Sequence, residues 1–248
     1  MKAMILAAGL GTRLRPLTND RPKALVEVAG HTLLEISLRR LASFGIREVI
    51  VNVHHFADMV ADYLKKNDNF GMYVEISRED DLLLDTGGGL KKAAWFFLQD
   101  RQSGEPFLLH NVDVISRIDF ARMVQFHRDN NALATLAVQN RKTSRYLLFN
   151  ERNQLCGRQT EANAAETVRP APRPTALAFS GIHVISPHLL SLITEQGVFS
   201  IITTYLRLAA EGYGILGFPV DEYYWRDLGK PENLTQAAAD LEQGIFTL

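Results

Sequence analysis

Between Met4 and Leu25 the chain reads MILAAGLGTRLRPLTNDRPKAL, and these residue types at this spacing could hold a triphosphate. An apolar run, Met4-Ile5-Leu6-Ala7, has the character of a short strand buried on both faces of a parallel sheet. Gly9 and Gly11 follow at once, where a strand must turn and where bare backbone lets N–H groups approach a ligand closely. Arg13 and Lys23 add cations, and Pro22 stiffens the backbone just ahead of Lys23. Spacing excludes two common phosphate motifs. A Walker A loop requires Gly-Lys-Ser/Thr, whereas Gly11 is followed by Thr12-Arg13. A dinucleotide fingerprint requires a third glycine where Leu14 stands.

Two further stretches could do chemistry. Leu84-Asp85-Thr86-Gly87-Gly88-Gly89 carries three consecutive glycines, more than a bare turn explains given their entropic cost. Asp113 sits just past the apolar run Phe107-Leu108-Leu109-His110-Asn111, at the end of a strand where open α/β sheets place ligand groups. His54 and His55 follow another strand, but no other residue completes a metal-ligand spacing with them.

The elements that must position these residues alternate. Strands are predicted at residues 4–7, 49–51, 73–77, 107–111, 134–138, 178–185 and 214–218. Helices are predicted at about 33–43, 57–66, 90–97, 120–130, 187–195, 201–211 and 231–242. Residues 146–150 and 154–157 read as a hairpin, and the proline-bearing residues 159–175 as a loop. This alternation predicts an α/β fold, a doubly wound and mostly parallel Rossmann-like mixed sheet flanked by helices, with a small β-rich insertion. One domain spanning 1–248 is expected, with the candidate triphosphate- or nucleotide-binding half at about 1–115 and a second half at about 116–230.

Composition narrows the class. The 248 residues are 46% apolar with a formal charge of −1, which suits a globular protein and argues against a nucleic-acid surface. Cys156 is the single cysteine, so no internal disulfide forms and a reducing compartment is favoured. No apolar run reaches the roughly 20 residues that span a bilayer. Met1-Lys2 leads directly into the first strand, so no signal peptide and a cytoplasmic setting are expected.

The full string Ala8-Gly9-Leu10-Gly11-Thr12-Arg13-Leu14-x-Pro16-Leu17-Thr18-x(3)-Pro22-Lys23-x-Leu25 resembles the signature of nucleotidyltransferases that act on sugar 1-phosphates. The resemblance extends to Thr86-Gly87-Gly88, to Asn111-Val112-Asp113 (Val112 replacing the usual glycine) and to Trp225-Arg226-Asp227-Leu228-Gly229-Lys230-Pro231-Glu232. It implies an enzyme that joins a nucleoside triphosphate to a sugar 1-phosphate, giving NDP-sugar and pyrophosphate. Ala8, Gly9, Gly11, Thr12 and Arg13 would bind the triphosphate, and Thr86, Gly87 and Gly88 would lie against the base. Asp113 and Asp227 would hold Mg²⁺, with Mn²⁺ able to substitute. Lys23, Asn111, Glu166, Ser180 and Gly181 would face the sugar phosphate, and Arg13, Lys23, Asp113 and Asp227 form the implied catalytic set.

The resemblance makes residues of about 116–230 the sugar-binding half, and the departures fall there. Arg141-Lys142-Thr143-Ser144-Arg145 stands where the family usually places a glycine, and the family's acidic-Lys pair lacks a clear counterpart, Glu161 and Glu166 being the candidate substitutes. The compact length and the Thr-Gly-Gly-Gly segment are similar to uridylyltransferases of N-acetylmuramic acid 1-phosphate. Guanylyltransferases of mannose or heptose 1-phosphates share much of the pattern. A cytidylyltransferase for a small phospho-alcohol or phosphonate is the alternative within this chemistry. A metal-dependent glycosyltransferase would typically show Asp-x-Asp, and a non-catalytic nucleotide-sugar sensor would be expected to have lost Arg13, Lys23 or an aspartate. No hexapeptide repeat follows the last helix, so an appended acyltransferase solenoid is not expected. A homo-oligomer is compatible with the sequence.

Overall fold

The computed structural model describes residues 1–99, 104–160 and 164–247. Strand β1 (Lys2–Leu6) lies at its centre, and its alternate residues point to opposite faces. Ala3 and Ile5 join one apolar cluster while Met4 joins the other, all three fully buried. A strand buried on both faces must be apolar throughout, as this one is.

Past the glycine loop, a two-residue hairpin of β2 (Glu27–Val28) and β3 (His31–Thr32) turns through Ala29 and Gly30, both with positive φ. It feeds α1 (Leu33–Ser43), which starts where the Thr32 side chain accepts a hydrogen bond from Glu35 N. Two strand–helix units then follow: β4 (Glu48–Val53), α2 (Ala57–Lys66), β5 (Tyr73–Arg78), and the short helices α3 (Asp85–Lys92) and α4 (Ala94–Leu98). β6 (Phe107–Asn111) returns beside β1, followed by the short β7 (Val114–Ser116) and by α5 (Phe120–Asp129), capped by Asp119.

The second half supplies β8 (Ala134–Gln139), the hairpin β9 (Arg145–Phe149) and β10 (Leu155–Thr160), β11 (Glu166–Thr167) and the long β12 (Thr175–Ile185). The chain ends with α6 (His188–Ser191), α7 (Ile201–Ala210), β13 (Ile215–Pro219), β14 (Trp225–Asp227) and α8 (Pro231–Glu242), the last opened by Pro231 at its first turn.

Strands β5, β4, β1 and β6 are parallel neighbours in that order. β12 runs antiparallel to β6 and also to β8, and β8 pairs in parallel with β13, so the predicted mixed, mostly parallel sheet is present. β12 does two jobs. Ile182–Ile185 pair with β6, whereas Thr175–Ala178 pair with β9 of the added hairpin layer. Between them the register against β8 shifts at 179–183, and Gly181 has φ +76°, a bulge that bends the strand.

Three predicted elements differ. The helix expected at 90–97 begins at Asp85, so the glycine run lies inside α3 and no strand immediately precedes it. The loop expected at 159–175 contains the end of β10 and β11, which pair antiparallel at Gly157↔Thr167 and Arg158↔Glu166. The helix expected at 187–195 stops at Ser191, because the chain beyond leaves the helical path and its Phe199 bonds to the backbone of α3.

Candidate active site

The carboxyl ends of β1 and β6 lie side by side, with Leu6 opposite Asn111 and Val112 N donating to Leu6 O at 3.1 Å. The loops leaving these two strands therefore open into one crevice, as expected of a parallel α/β sheet. A cleft of about 370 Å³ occupies it, lined by Ala8, Gly9, Lys23, Asn111 and Asp113 on one side and by Asp85, Thr86 and Val198 on the other.

The glycine loop is held from behind and open in front. Ala7 N donates to Asn52 Oδ1 (2.8 Å), and Thr18 Oγ1 donates to Gly11 O (2.9 Å). Gly11 has φ +63°, a conformation that side chains other than glycine's rarely adopt, whereas a Cβ on Gly9 would meet nothing within 4 Å. Asn52 Nδ2 in turn donates to Glu79 Oε1 (2.7 Å), and Glu79 Oε2 accepts from Leu84 N (2.8 Å). Glu79 is only 1% exposed. This buried carboxylate ties the glycine loop to the opposite wall of the cleft. The sequence offered one signal for it: a polar Asn52 inside the apolar strand Val49–Val53.

The charged groups converge. Lys23, 9% exposed, sits on a 3-10 turn directly after Pro22 and pairs with Asp113 Oδ2. Lys23 therefore has an anionic partner without any substrate, which the sequence did not anticipate. Asp227 reaches the same place through long-range pairing. β14 runs antiparallel to β7 with Asp227 opposite Val114, and Leu228 N donates to Asp113 O at 2.7 Å. Asp227 Oδ1 accepts from Gly229 N (2.6 Å). A Cβ on Gly229 would strike both the Arg13 guanidinium and Asp227 Oδ1, so the exposed Arg13 and this carboxylate flank the glycine. Asp113 lines the cleft, and the β7–β14 ladder sets the backbone of Asp227 beside it; two carboxylates completed by phosphate oxygens and water would suit a hard divalent cation. Among the described residues no group of three or more His, Cys, Asp or Glu side chains could hold a metal alone.

Thr86 lines the cleft and its Oγ1 accepts from Ile201 N (3.0 Å), capping α7 from a distance. Gly87 and Gly88 are turned elsewhere. Both of their N–H groups donate to Phe199 O (2.9 and 3.3 Å), and a Cβ on Gly88 would lie 2.6 Å from Gly197 O. A Cβ on Gly89 would lie 2.7 Å from Glu79 Oε1. The glycines permit α3 to pack closely against residues 197–199 and the Asn52–Glu79 pair.

On β12, the Gly181 bulge brings its backbone against Asn111, so that a Cβ there would lie 2.9 Å from Asn111 Nδ2. Ser180 is buried, donating to Gln139 Oε1 (3.2 Å) while its carbonyl accepts from Trp225 Nε1 (2.8 Å). Glu166 is exposed on the edge strand β11, paired with Arg158 (2.6 Å), away from the residues that line the cleft. Glu161 lies outside the described residues. Beneath the site, burial pushes His110 down to about 4 and His183 to about 3, so neither carries charge at neutral pH. Burial likewise raises the pKa of Cys156, in keeping with an inert thiol. Among the described residues no helix is long and apolar enough to cross a membrane.

Residues 2–244 match the family described as Nucleotidyl transferase. The chain is 33% identical over 250 residues to an N-acetylmuramate alpha-1-phosphate uridylyltransferase of Caulobacter vibrioides, covering 97% of each. It is 31% identical to a mannose-1-phosphate guanylyltransferase of Mycobacterium tuberculosis, covering 98% of this chain but 65% of that longer one. A crystal structure of HddC from Yersinia pseudotuberculosis, complexed with GMP-PN, superposes with a TM-score of 0.72 at 21% identity, covering 96% of this chain and 98% of the other. That likeness supports the fold.

Proposed function

The chain belongs to the nucleotidyl transferase family, and from that premise we propose that it transfers a nucleoside monophosphate from an NTP to a sugar 1-phosphate in a Mg²⁺-dependent reaction. Pyrophosphate and an NDP-sugar are the products. The observation that carries this reading is the pairing of Lys23 with Asp113 in the cleft beside Gly9, with Asp227 brought next to Asp113 by the β7–β14 ladder, three distant parts of the chain in one place.

The chemistry follows from charge. A sugar phosphate and a triphosphate are both anions, so their approach requires neutralisation before bond formation. Amides of the Ala8–Gly11 loop and the Arg13 guanidinium bind the β- and γ-phosphates. Lys23, held between Pro22 and Asp113, is placed to contact the α-phosphate and the incoming phosphate once those anions compete for its ammonium. Asp113 and Asp227 would hold Mg²⁺, which supplies charge stabilisation at the α-phosphate and on the leaving pyrophosphate. A phosphate monoester is already ionised near neutral pH, so the nucleophile needs no general base. The neutral, buried His110 and His183 accord with that. Positioning and electrostatics suffice, without a covalent enzyme intermediate.

Cytoplasmic localisation belongs to the same reading, since NTP and sugar 1-phosphate are intracellular metabolites. The test is pyrophosphate release with a panel of UTP, GTP, CTP and dTTP against mixed sugar 1-phosphates, with and without EDTA. Release that needs both substrates and stops in EDTA is expected. Full activity in excess EDTA, or release only with a phospho-alcohol, overturns the reading. Asp113→Asn and Asp227→Asn should each abolish turnover, and the double variant should cost little more, because the two act as one unit.

A further inference from the structure

Arg141 follows β8 in the segment to which the sequence assigns no role, yet it is fixed between β12 and β14, beside the Gly181 bulge. Its Nη2 donates to Phe179 O at 2.8 Å, and its guanidinium carbon lies 4.2 Å from the centroid of the Trp225 ring. Trp225 is itself fixed by the hydrogen bond from its Nε1 to Ser180 O. Phe179 and Ser180 lead directly into the Gly181 bulge, which packs on Asn111 in the cleft wall. Trp225 and Asp227 are two residues apart on β14 and so share one face of that strand. Burial lowers the pKa of Arg141, and the nearby charge of Asp227 offsets that only in part.

This cation is only partly satisfied. Among the described residues Arg141 makes no salt bridge with a carboxylate, and its Nε is buried without a hydrogen-bond partner. One carbonyl uses one of its five donors. A half-buried guanidinium is usually paired with an anion, because desolvation otherwise goes uncompensated. Here the plane is pre-set by the Trp225 face, and with Nε buried the donors left for a planar or tetrahedral oxyanion are Nη1 and the second hydrogen of Nη2.

We propose that Arg141 is the specificity-determining cation of the acceptor site, binding an oxyanion of the incoming sugar phosphate next to Asp227. The proposal rests on the nucleotidyl-transfer reading for the identity of the acceptor, and it names a residue outside the implied catalytic set. Two acceptor groups share the required chemistry: the 1-phosphate itself, or a carboxylate carried elsewhere on the sugar.

The experiment uses the full chain, as wild type, Arg141→Gln and Arg141→Lys, with KM for NTP and for acceptor measured separately by pyrophosphate release. Mannose 1-phosphate and N-acetylmuramate 1-phosphate serve as acceptors without and with a carboxylate. Arg141→Gln should raise acceptor KM at least about 10-fold, leave NTP KM unchanged, and be partly rescued in Arg141→Lys. A rise with both acceptors identifies the phosphate, and a rise only with the carboxylate-bearing acceptor identifies the carboxylate. Unchanged acceptor KM in folded variants overturns the proposal, as does an equal rise in both KM values, which a purely structural role would give. Should the wild type release no pyrophosphate with any sugar 1-phosphate, the functional reading falls, and titration calorimetry with inorganic phosphate then tests Arg141 directly. Phosphate binding lost in Arg141→Gln supports the cation site, and equal binding in both proteins overturns it. If Arg141→Gln fails to fold, Arg141→Lys carries the same comparison.

Discussion

Two glycine-rich segments face each other across the cleft, and they are glycine-rich for different reasons. At Gly9 an added Cβ would meet nothing, so the loop is bare backbone open toward the cleft there, while Gly11 is required by its left-handed conformation and by Thr18 and Lys23, 2.9 and 3.1 Å from where its Cβ would lie. At Gly88 and Gly89 the added Cβ would lie 2.6 Å from a carbonyl oxygen and 2.7 Å from a buried carboxylate. Those glycines are filled against, not opened. Composition is the same; one segment reserves space for a ligand and the other removes space between a helix and its support. Glycine in sequence marks close approach, but the approaching partner has to be found in three dimensions.

Of the changes that test this contrast, the largest effect belongs to the open side. Lys23→Ala should lower kcat by roughly 10²–10³, the usual loss when one preorganised contact to developing charge is removed. Because Lys23 also neutralises Asp113, the single variant should lose some stability too, through a half-buried carboxylate left unpaired. Adding Asp113→Asn should recover thermal stability without recovering turnover. If Lys23→Ala retains near-normal kcat, the open loop is not where the triphosphate reacts.

The packed side should respond in stability. Gly88→Ala drives a methyl toward Gly197 O, and overpacking of this kind costs about 1–3 kcal/mol. Alanine's better helix propensity offsets at most about 1 kcal/mol of that. For a chain of this size the net loss appears as a fall in Tm of roughly 2–4 °C per kcal/mol. A Gly88→Ala protein with unchanged Tm but lost NTP affinity would show that the base, and not residues 197–199, fills this space.

Between the two lies Glu79, whose carboxylate serves Asn52 on one wall and Leu84 N on the other. Glu79→Gln presents a donor where an acceptor is needed and should cost about 1–3 kcal/mol for the group left unsatisfied. Both walls depend on it, so urea unfolding should show lower stability and the KM for NTP should rise together. A change in one without the other would separate the segments that Glu79 is argued to couple.

These differences also explain what could be read from sequence. β1, α1, β6 and α8 are encoded locally, by an apolar run, the Thr32–Glu35 cap, and Pro231 at a helix start. The backbone proximity of Asp113 and Asp227 was visible only as two matching segments 114 positions apart, and it is made by the β7–β14 ladder. The start of α3 was hidden because the reason for its glycines, Gly197 and Phe199, lies more than 100 residues downstream. β11 was hidden for a similar reason. Its two residues become a strand only by pairing with β10. Arg141 carried no motif, since its partners are a carbonyl on β12 and a ring on β14.

The smallest expected effect is also the sharpest test of the contrast. Gly9→Ala adds a Cβ with no neighbour within 4 Å, and Gly9 is not among the glycines held at positive φ. Folding should therefore tolerate the change, and reduced freedom of the unfolded chain would even stabilise by about 0.4–1 kcal/mol. The methyl nevertheless projects from a residue that lines the cleft, where the triphosphate needs close access to loop amides. KM for NTP should rise roughly 3- to 10-fold, equivalent to about 1 kcal/mol, with acceptor KM almost unchanged and Tm unchanged or slightly raised. Gly88→Ala should show the opposite pattern in the same assays. If Gly9→Ala instead lowers Tm as Gly88→Ala does, the glycine loop is packed against something, and the distinction between an open and a filled glycine segment fails.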